Sequence, residues 1–291
     1  MRIAIHGRNF QDKNKAAIQG LFDELKAKNI HLQVSELFHR FLHQAGIQGI
    51  GKDTFRDGSE LFEADFFLSV GGDGTLLEAI TFVGEKETPI LGINAGRLGF
   101  LAITSPDTIQ EAIHALCAGY YQYDERSLVH LESNIDVFDG LNFGLNEFTV
   151  TKRDSSSMII IHTFIDGEYL NSYWADGLII STPTGSTGYS LSCGGPVILP
   201  QSNNFVITPV SPHNLTVRPM VIPDNSIISL EVEGRSKNFM ASLDSRSQVI
   251  EAGVQLAVSK EKFKARLVKL NDNNFLNTLR SKLNWGLDVR N

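Results

Sequence analysis

A short glycine-rich segment is the first part of this chain whose residue types suggest chemistry. Residues 71–75 read Gly-Gly-Asp-Gly-Thr and follow the apolar run at residues 66–70, which is typical of a strand buried on both faces. The three glycines permit close approach of the backbone to a ligand and positive φ angles. A helix predicted from Thr75 onward would offer unpaired N–H groups to a phosphate. A phosphate-binding loop and an ordinary tight turn both fit this pattern.

Asp73 is the unusual residue in this segment, because bound phosphate repels a neighbouring carboxylate. Two tasks would justify its presence. It could hold Mg²⁺ against the phosphates, or it could accept the proton of an attacking hydroxyl group. Either task would make residues 71–75 part of a phosphoryl-transfer site.

A second polar segment lies between Asp176 and Ser192. It begins as a short strand pattern at residues 178–181 and continues as a loop of serine, threonine and glycine. Small hydroxylated residues provide hydrogen-bond donors without bulk, so such a loop can lie against a ribose, a phosphate or an amide. Tyr189 adds a flat ring that can stack on a base. A polar turn loop without a ligand has the same composition and is the alternative.

The pair Asn146-Glu147 stands at the end of a predicted strand. A carboxylate accepts hydrogen bonds from both hydroxyl groups of one ribose, and a neighbouring amide can both donate and accept. Nucleoside binding and a solvated strand edge are the two interpretations of this pair.

The elements that must position these residues divide the chain in two. Up to about residue 125, buried strands alternate with helical patterns, which predicts a doubly wound parallel α/β sheet with residues 71–75 at its ligand-binding carboxyl edge. Later residues form short β-type runs separated by turn signals, and residues 275–285 return to a helical pattern. We expect an α/β domain over residues 1–124, to which the helical tail 271–291 returns, and a β-rich domain over residues 125–270.

Composition limits the class of protein. The 291 residues carry 26 basic and 33 acidic side chains, and the net charge of −7 opposes binding to nucleic acid. No run approaches the ~20 apolar residues of a membrane-spanning helix, and the N-terminus does not resemble a signal peptide. Cys117 and Cys193 form no CxxC pair, which suits a reducing compartment. We expect a cytoplasmic protein that binds neither nucleic acid nor membranes.

Other chemistries have less support among the motifs. His39 and His43 are spaced i, i+4 on a predicted helix, as in a zinc pair, but no third ligand at useful spacing and no HExxH motif accompany them. The chain has no GxSxG nucleophile elbow and no GxGxxG dinucleotide fingerprint. We therefore expect no zinc site, no hydrolase triad and no dehydrogenase-type dinucleotide binding.

Together these segments resemble the NAD kinase family, and the similarity extends over most of the chain. Residues 71–75 match its signature, residues 94–101 match the segment that follows it, and Asn146-Glu147 matches its Asn-Glu pair. The run from Asp176 to Pro196 is similar to the family's long glycine-rich motif, and residues 275–285 are similar to its C-terminal segment. The first motif alone is shared with diacylglycerol-type lipid kinases and 6-phosphofructokinases, whereas the long motif with Asn-Glu is far more specific.

The resemblance implies an ATP-dependent kinase that phosphorylates the 2′-hydroxyl of the adenosine ribose of NAD and gives NADP. Asp73 would be the catalytic carboxylate near that hydroxyl. The phosphate loop would comprise Gly71, Gly72, Gly74 and Thr75. The NAD-binding residues would be Asp73, Gly74, Asn146, Glu147, Asp176, Thr187, Gly188, Tyr189, Ser190, Leu191 and Ser192. The family needs a divalent metal, Mg²⁺, with ATP and forms homodimers or homotetramers; no side chain is assigned here as a metal ligand.

Two positions depart from the family's pattern. Gly188 stands where alanine is common, which should leave the site slightly roomier. Arg246 stands where some members have a glutamine near the ligand, so a contact with phosphate is an alternative role there. Two rival functions also fit the sequence. A lipid or sphingoid kinase that shares only the glycine-aspartate loop would not need Asp176 or Tyr189, and a regulatory protein would bind NAD without turnover.

Overall fold

The computed structural model describes residues 1–96, 99–153, 158–270 and 274–286. Two compact units divide the chain: the first comprises Met1–Glu125 together with Ala265–Asn291, and the second comprises Arg126–Lys264. The described helices are α1 (Lys15–Ala27), α2 (Glu36–Gln44), α3 (Asp73–Val83), α4 (Ile109–Ala118), α5 (Tyr189–Ser192) and α6 (Phe275–Leu283). In the same residues, no helix is long and apolar enough to span a membrane.

The strands of the described residues are short in both units. They are β1 (Arg2–Gly7), β2 (His31–Ser35), β3 (Asp53–Phe55), β4 (Phe66–Gly71), β5 (Ile90–Asn94), β6 (Gln122–Arg126), β7 (Val129–Ser133), β8 (Phe143–Gly144), β9 (Glu147–Lys152), β10 (Ile159–Ile165), β11 (Glu168–Ala175), β12 (Gly177–Ser181), β13 (Asn204–Val210), β14 (Met220–Pro223), β15 (Ile228–Gly234), β16 (Asn238–Leu243), β17 (Arg246–Glu251), β18 (Leu256–Lys260) and β19 (Ala265–Lys269).

The first unit contains a sheet with the strand order β3-β2-β1-β4-β5-β19-β6. The neighbours from β3 to β19 pair in parallel. Apolar residues of α1, α2 and α4 pack with the strands in one core cluster, and α3 packs against β4 and its two neighbours. The strand order reverses between β1 and β4, which is the topological switch point where open α/β sheets bind ligands. The predicted doubly wound α/β fold is confirmed.

The second unit is built from two antiparallel sheets. Their strand orders are β11-β10-β15-β18-β7-β8 and β14-β13-β12-β9-β16-β17. Side chains from both sheets form one apolar core, and alternate residues of β10 are buried, as a sheet with one face on the core requires. Asp166 and Gly167 join β10 to β11 with φ angles of 52° and 84°, the left-handed pair that a tight hairpin turn needs. The predicted β-rich second part is confirmed.

The tail helix α6 belongs to the first unit, as predicted. Asn274 caps its N-terminus by accepting the N–H of Leu276 at 2.9 Å. The rings of Phe275 and Phe100 lie 6.4 Å apart, and the Lys282 ammonium lies 5.7 Å from the centre of the Phe100 ring. These contacts pack the tail helix α6 against Phe100 of the first unit.

Three local features differ from the sequence-based expectation. The strand β19, expected within the β-rich part, pairs in parallel with β5 through Leu267 and Ile90, because pairing between distant strands leaves no local pattern. The pair Asn146-Glu147 precedes and opens β9 instead of ending a strand. The loop after β12 contains a helical turn, α5, although its glycines and hydroxylated residues favour a loop.

Candidate active site

Residues 71–75 lie at the carboxyl edge of the parallel sheet, between the loops that follow β1 and β5. The N–H of Arg8 donates to the carbonyl of Val70 at 3.1 Å, and the N–H of Ala95 donates to the carbonyl of Gly71 at 2.9 Å. Asn14 donates its side-chain amide to the carbonyl of Ala95 at 2.8 Å, which ties the two flanking loops together. Loops on both sides therefore flank the first turn of α3, and the N-terminus of a helix is a position that favours an anion.

The glycines of this loop provide space, and the expected positive φ angles are not found. Neither Gly71, Gly72 nor Gly74 has a positive φ, and Gly72, the N-cap of α3, has a φ of −108°. A Cβ at position 71 would lie 2.1 Å from the hydroxyl oxygen of Thr75, so the tight turn itself excludes a side chain there. Cβ atoms at positions 72 and 74 would have no neighbour within 4 Å. The last two glycines thus leave open space for a ligand.

The carboxylate of Asp73 is held by the backbone that follows Gly99. One oxygen accepts the N–H of Phe100 at 2.7 Å, and the other accepts those of Leu101 and Ala102 at 3.0 Å each. A Cβ at Gly99 would lie 1.9 Å from Oδ1 of Asp73, so only glycine permits this approach. The three amides stabilise the charge of Asp73 and fix its orientation.

A second buried carboxylate organises the pair Asn146-Glu147 in the second unit. Asp244 accepts the N–H groups of Leu145, Asn146 and Glu147 at 2.7, 2.8 and 3.1 Å. A Cβ at Gly144 would lie 3.0 Å from Oδ1 of Asp244. The backbone that carries the pair is therefore fixed by a carboxylate in the way that Asp73 fixes residues 100–102.

Glu147 carries a carboxyl group whose pKa is strongly raised. Burial and the nearby charge of Asp244 raise the pKa of Glu147 to about 8. Its Oε2 atom is buried and has no hydrogen-bond partner among the described residues. A Cβ at Gly188 would lie 3.3 Å from this oxygen and 3.9 Å from the side-chain nitrogen of Asn146, so both side chains border Gly188. An unpartnered buried carboxyl group is costly in free energy unless a ligand completes it.

The hydroxyl groups of the loop after β12 point mostly inward. Thr182 donates to the carbonyl of Leu145 at 2.6 Å, and Ser186 donates to that of Pro183 at 2.7 Å. The Ser190 hydroxyl, fully buried, is bonded to that of Thr208 at 2.8 Å. Several hydroxyl groups of this loop are therefore bonded within the protein, and fewer of them are available to a ligand than the composition of the loop indicates.

Only a few residues of the same loop are accessible to solvent. Tyr189 is 42% exposed, Ser192 is exposed, and Thr187, Gly188 and Leu191 are half-buried. Burial raises the pKa of the Tyr189 hydroxyl, and the nearby Cys193, Asp176 and Glu147 add to this shift.

Asp176 is paired rather than free. Its Oδ1 atom lies 2.7 Å from the ammonium of Lys152, whose strand β9 pairs with β12. The tyrosine ring, the two carboxyl groups and this lysine therefore belong to one polar neighbourhood within the second unit.

Arg246 is occupied by the protein itself. It donates to the carbonyls of Leu141, at 2.5 Å, and of Phe143. Its guanidinium carbon lies 5.7 Å from the centre of the Phe138 ring and 5.8 Å from that of Phe143. The guanidinium of Arg246 is therefore bonded to backbone carbonyls and lies over two aromatic rings.

Comparison with known proteins identifies the family of this chain. Residues 12–121 match the ATP-NAD kinase N-terminal domain, and residues 145–270 match the ATP-NAD kinase C-terminal domain. The chain belongs to the NAD kinase family. Because the match includes the C-terminal domain, it argues against a lipid kinase that shares only the glycine-aspartate loop. The resemblance identified from the motifs is confirmed.

Relatives of full length and solved structures agree with this assignment. The chain is 53% identical to the NAD kinase of Cytophaga hutchinsonii and 46% identical to that of Flavobacterium psychrophilum, with 100% of both proteins covered in each case. Its fold is similar to that of yeast NADH kinase complexed with NADH, with a TM-score of 0.88 at 21% identity over 100% of this chain and 89% of that one. It is also similar to an NAD kinase from Archaeoglobus fulgidus in complex with ATP, with a TM-score of 0.76 at 24% identity over 98% and 99% of the two chains.

Some residues that contact the candidate site residues were not themselves predicted as site residues. Lys152 and Asp244 act through contacts with residues distant in sequence, and no local pattern points to them. Gly99 lies within the matching segment 94–101, but that match does not reveal its contact with Asp73. Residues 97–98, part of the segment that resembles the family after its signature, lie outside the described residues. In the residues that are described, no group of three or more His, Cys, Asp or Glu side chains is arranged to hold a metal ion.

Proposed function

We propose that this chain transfers the γ-phosphoryl group of ATP to the 2′-hydroxyl of the adenosine ribose of NAD, giving NADP. The observation that carries the proposal is the pair Asn146-Glu147, which is fixed through its backbone by Asp244 and has a buried carboxyl oxygen without a described partner. A ribose presents two adjacent hydroxyl groups that suit such a pair. Membership of the NAD kinase family supports the reaction class.

The donor phosphates are assigned to the first turn of α3. Gly72 and Gly74 leave open space beside the helix N-terminus, and Gly71 and Thr75 hold the turn in shape. Unpaired N–H groups and the helix dipole favour an anion there by roughly 0.3–1 kcal/mol per charge. Mg²⁺ typically binds through substrate phosphates with one or two carboxylates, so we propose that it enters with ATP and neutralises phosphate charge.

Asp73 is assigned to the acceptor hydroxyl. A carboxylate has about four acceptor sites, and three of those of Asp73 are occupied by amides. The remaining site accepts the hydrogen of the 2′-hydroxyl and turns its oxygen toward phosphorus. Phosphoryl transfer through a loose transition state depends mainly on positioning and electrostatics. Asp73 therefore acts as the general base or as the group that orients the hydroxyl.

The remaining NAD contacts are assigned to the second unit. Asn146 and Glu147 bind ribose hydroxyls, Asp176 accepts from an amide or amino group of the dinucleotide, and the exposed ring of Tyr189 stacks on a base. The accessible residues Thr187, Gly188, Leu191 and Ser192 line the site. The buried Ser190 packs beneath these residues, and its hydroxyl group is bonded to that of Thr208.

Several properties of the protein follow from the same proposal. We propose a cytoplasmic homodimer or homotetramer that uses Mg²⁺ with ATP and binds neither nucleic acid nor membranes. The net charge of −7 supports the exclusion of nucleic acid, and the homologous kinases support the nucleotide substrates. Sedimentation equilibrium of the purified protein would give the number of subunits, and a mass equal to one chain would contradict the oligomer.

The direct test combines the purified protein with NAD, ATP and MgCl₂ and detects NADP with an NADP-specific dehydrogenase. Product that requires all three components is the expected result. NAD that raises the melting temperature without any product would instead support a binding protein that does not catalyse transfer.

A further inference from the structure

The turn between β16 and β17 holds one segment of the second unit by two opposite charges. The charges belong to Asp244, in the turn, and to Arg246, the first residue of β17, and the segment they hold, residues 141–147, ends in the pair Asn146-Glu147. Asp244 lies at the amide side of the segment and accepts the N–H groups of residues 145, 146 and 147 at 2.7–3.1 Å. Hydrogen bonds to an ionised acceptor are stronger than those between neutral groups.

Arg246 holds the other end of the segment. Its two terminal nitrogens donate to the carbonyls of Leu141 and Phe143, one N–H from each arm of the rigid, planar guanidinium. The rings of Phe138 and Phe143 lie 5.7 and 5.8 Å from the guanidinium carbon. Arg246 thus donates to carbonyl groups of the segment, whereas Asp244 accepts from its N–H groups.

Two further features suit this arrangement. Asp244 has a φ of 52°, a left-handed conformation that aspartate and asparagine tolerate and that turns its side chain back toward the segment. Gly144 leaves room for the carboxylate, because a Cβ there would lie 3.0 Å from Oδ1. The backbone of Gly185 in turn packs on the peptide of Asn146, whose carbonyl oxygen would lie 2.1 Å from a Cβ at 185.

We propose that Asp244 and Arg246 are positioning residues for NAD, which act by clamping residues 141–147 so that Asn146 and Glu147 present their side chains to a ribose. This inference rests on the proposed role of that pair. It assigns Arg246 to the protein backbone and not to a phosphate of the substrate. Small misplacements of substrate-binding groups reduce enzyme function strongly, so a clamp on the backbone is as important as the pair itself.

Asp244→Asn and Arg246→Gln test the two halves of the clamp in the full-length protein. Asparagine keeps the left-handed turn but accepts with one oxygen only, and glutamine cannot donate to two carbonyls as a guanidinium does. For each variant we expect the KM for NAD to rise about 10- to 100-fold with the KM for ATP unchanged. Calorimetric Kd values for NAD should rise in parallel.

Asp166→Asn is the matched control. Asp166 also has a φ of 52° and accepts a backbone N–H, that of Ile227 at 2.9 Å, at a turn of the other sheet. We expect this variant to lose a little stability and to keep the KM for NAD. Equal increases of both KM values in the clamp variants, or an unchanged KM for NAD in folded variants, would overturn the proposal.

Arg246→Lys separates the clamp from a direct phosphate contact. A lysine keeps the charge that a phosphate needs but replaces the rigid two-nitrogen fork beside the two carbonyls with a single ammonium on a flexible stem. We expect Arg246→Lys to behave like Arg246→Gln, and near-normal affinity for NAD in this variant would assign Arg246 to the substrate instead.

Amide hydrogen exchange at residues 145–147 provides a readout that does not require turnover. Exchange should accelerate in Asp244→Asn and stay slow in Asp166→Asn; unchanged protection in Asp244→Asn would overturn the clamp. Failure of the proposed function is distinguishable, because it would be seen in the unsubstituted protein as absence of NADP formation. If that protein also bound no NAD, the positioning role would be overturned with it, and accelerated exchange would indicate a structural clamp alone.

Discussion

Asp73 and Gly99 make a contact that no other residue at position 99 permits. A Cβ at Gly99 would lie 1.9 Å from Oδ1 of Asp73. The same carboxylate accepts the amides of the three residues that follow the glycine. Asp244 and Gly144 repeat this arrangement in the second unit. In each unit, a glycine admits an aspartate that then organises the backbone next to a proposed substrate contact.

Gly99→Ala should damage catalysis by displacing the carboxylate of Asp73. A shift of about 1 Å in a reacting group costs about 100-fold in rate, so we expect kcat to fall by about that factor. Steady-state kinetics with NAD and ATP would measure the loss. Gly20→Ala, in α1, is the control, because a Cβ there would meet only the side-chain nitrogen of Gln110, at 3.5 Å. Normal activity of Gly99→Ala would contradict the importance of this contact.

Asp73→Asn should lose activity while the protein stays folded. The loss of the charged acceptor should lower kcat by about 10²–10⁴. The amide group also leaves at least one of the three N–H groups without an acceptor, which costs about 1–3 kcal/mol of unfolding free energy. Kinetics and urea unfolding of the same preparation would measure both effects. A folded variant with nearly full activity would show that Asp73 has no role in the reaction.

The pKa of Glu147 predicts a pH dependence of NAD binding. With its pKa at about 8, Glu147 is mostly protonated at neutral pH and accepts from two hydroxyl groups only when it loses that proton. The KM for NAD should therefore fall as the pH rises toward 8, by about tenfold per unit well below the pKa.

A pH series of initial rates would detect this dependence. The inflection should be absent in Glu147→Gln, and its persistence in that variant would assign it to another group. The raised pKa of Glu147 also affects stability: a rise in pH that strengthens NAD binding weakens the fold. Because the folded state holds this proton more tightly than the unfolded state, this contribution to the unfolding free energy falls as the pH rises from 4.5 to about 8.

Glu78 predicts a loss of stability in acid. Burial alone would raise the pKa of Glu78, but hydrogen bonds from His6 and Arg8 outweigh it and hold the pKa at about 2. A carboxyl group whose folded pKa lies below its unfolded value stabilises the fold above the unfolded pKa of 4.5, and this contribution is lost as the pH falls toward 2.

Urea unfolding across this pH range would measure the effect. Glu78→Gln should flatten the decline. The control Glu63→Gln should leave the decline unchanged, since the Glu63 side chain is 93% exposed and its pair with Arg2 contributes little. Equal slopes in the Glu78 variant and the unsubstituted protein would contradict this account.

The sequence allowed prediction of what depends on neighbouring residues. The buried strand β4 and the helix α3 follow from local apolar patterns, and Asp73 stands out because its charge conflicts with a phosphate loop. Contacts between distant residues could not be predicted in this way. Asp244 and Asn146 are 98 residues apart, and composition does not reveal that the Ser190 hydroxyl faces Thr208 instead of solvent.

The position of β19 constrains how the protein is made on the ribosome. This strand begins at residue 265 yet lies between β5 and β6 in the first sheet. A nascent chain that has emerged only to residue 125 has no strand at that place, and its β6 has no neighbour in the sheet. The second unit, continuous from residue 126 to 264, is complete before β19 is synthesised. The sheet of the first unit can therefore be completed only after β19 has been synthesised.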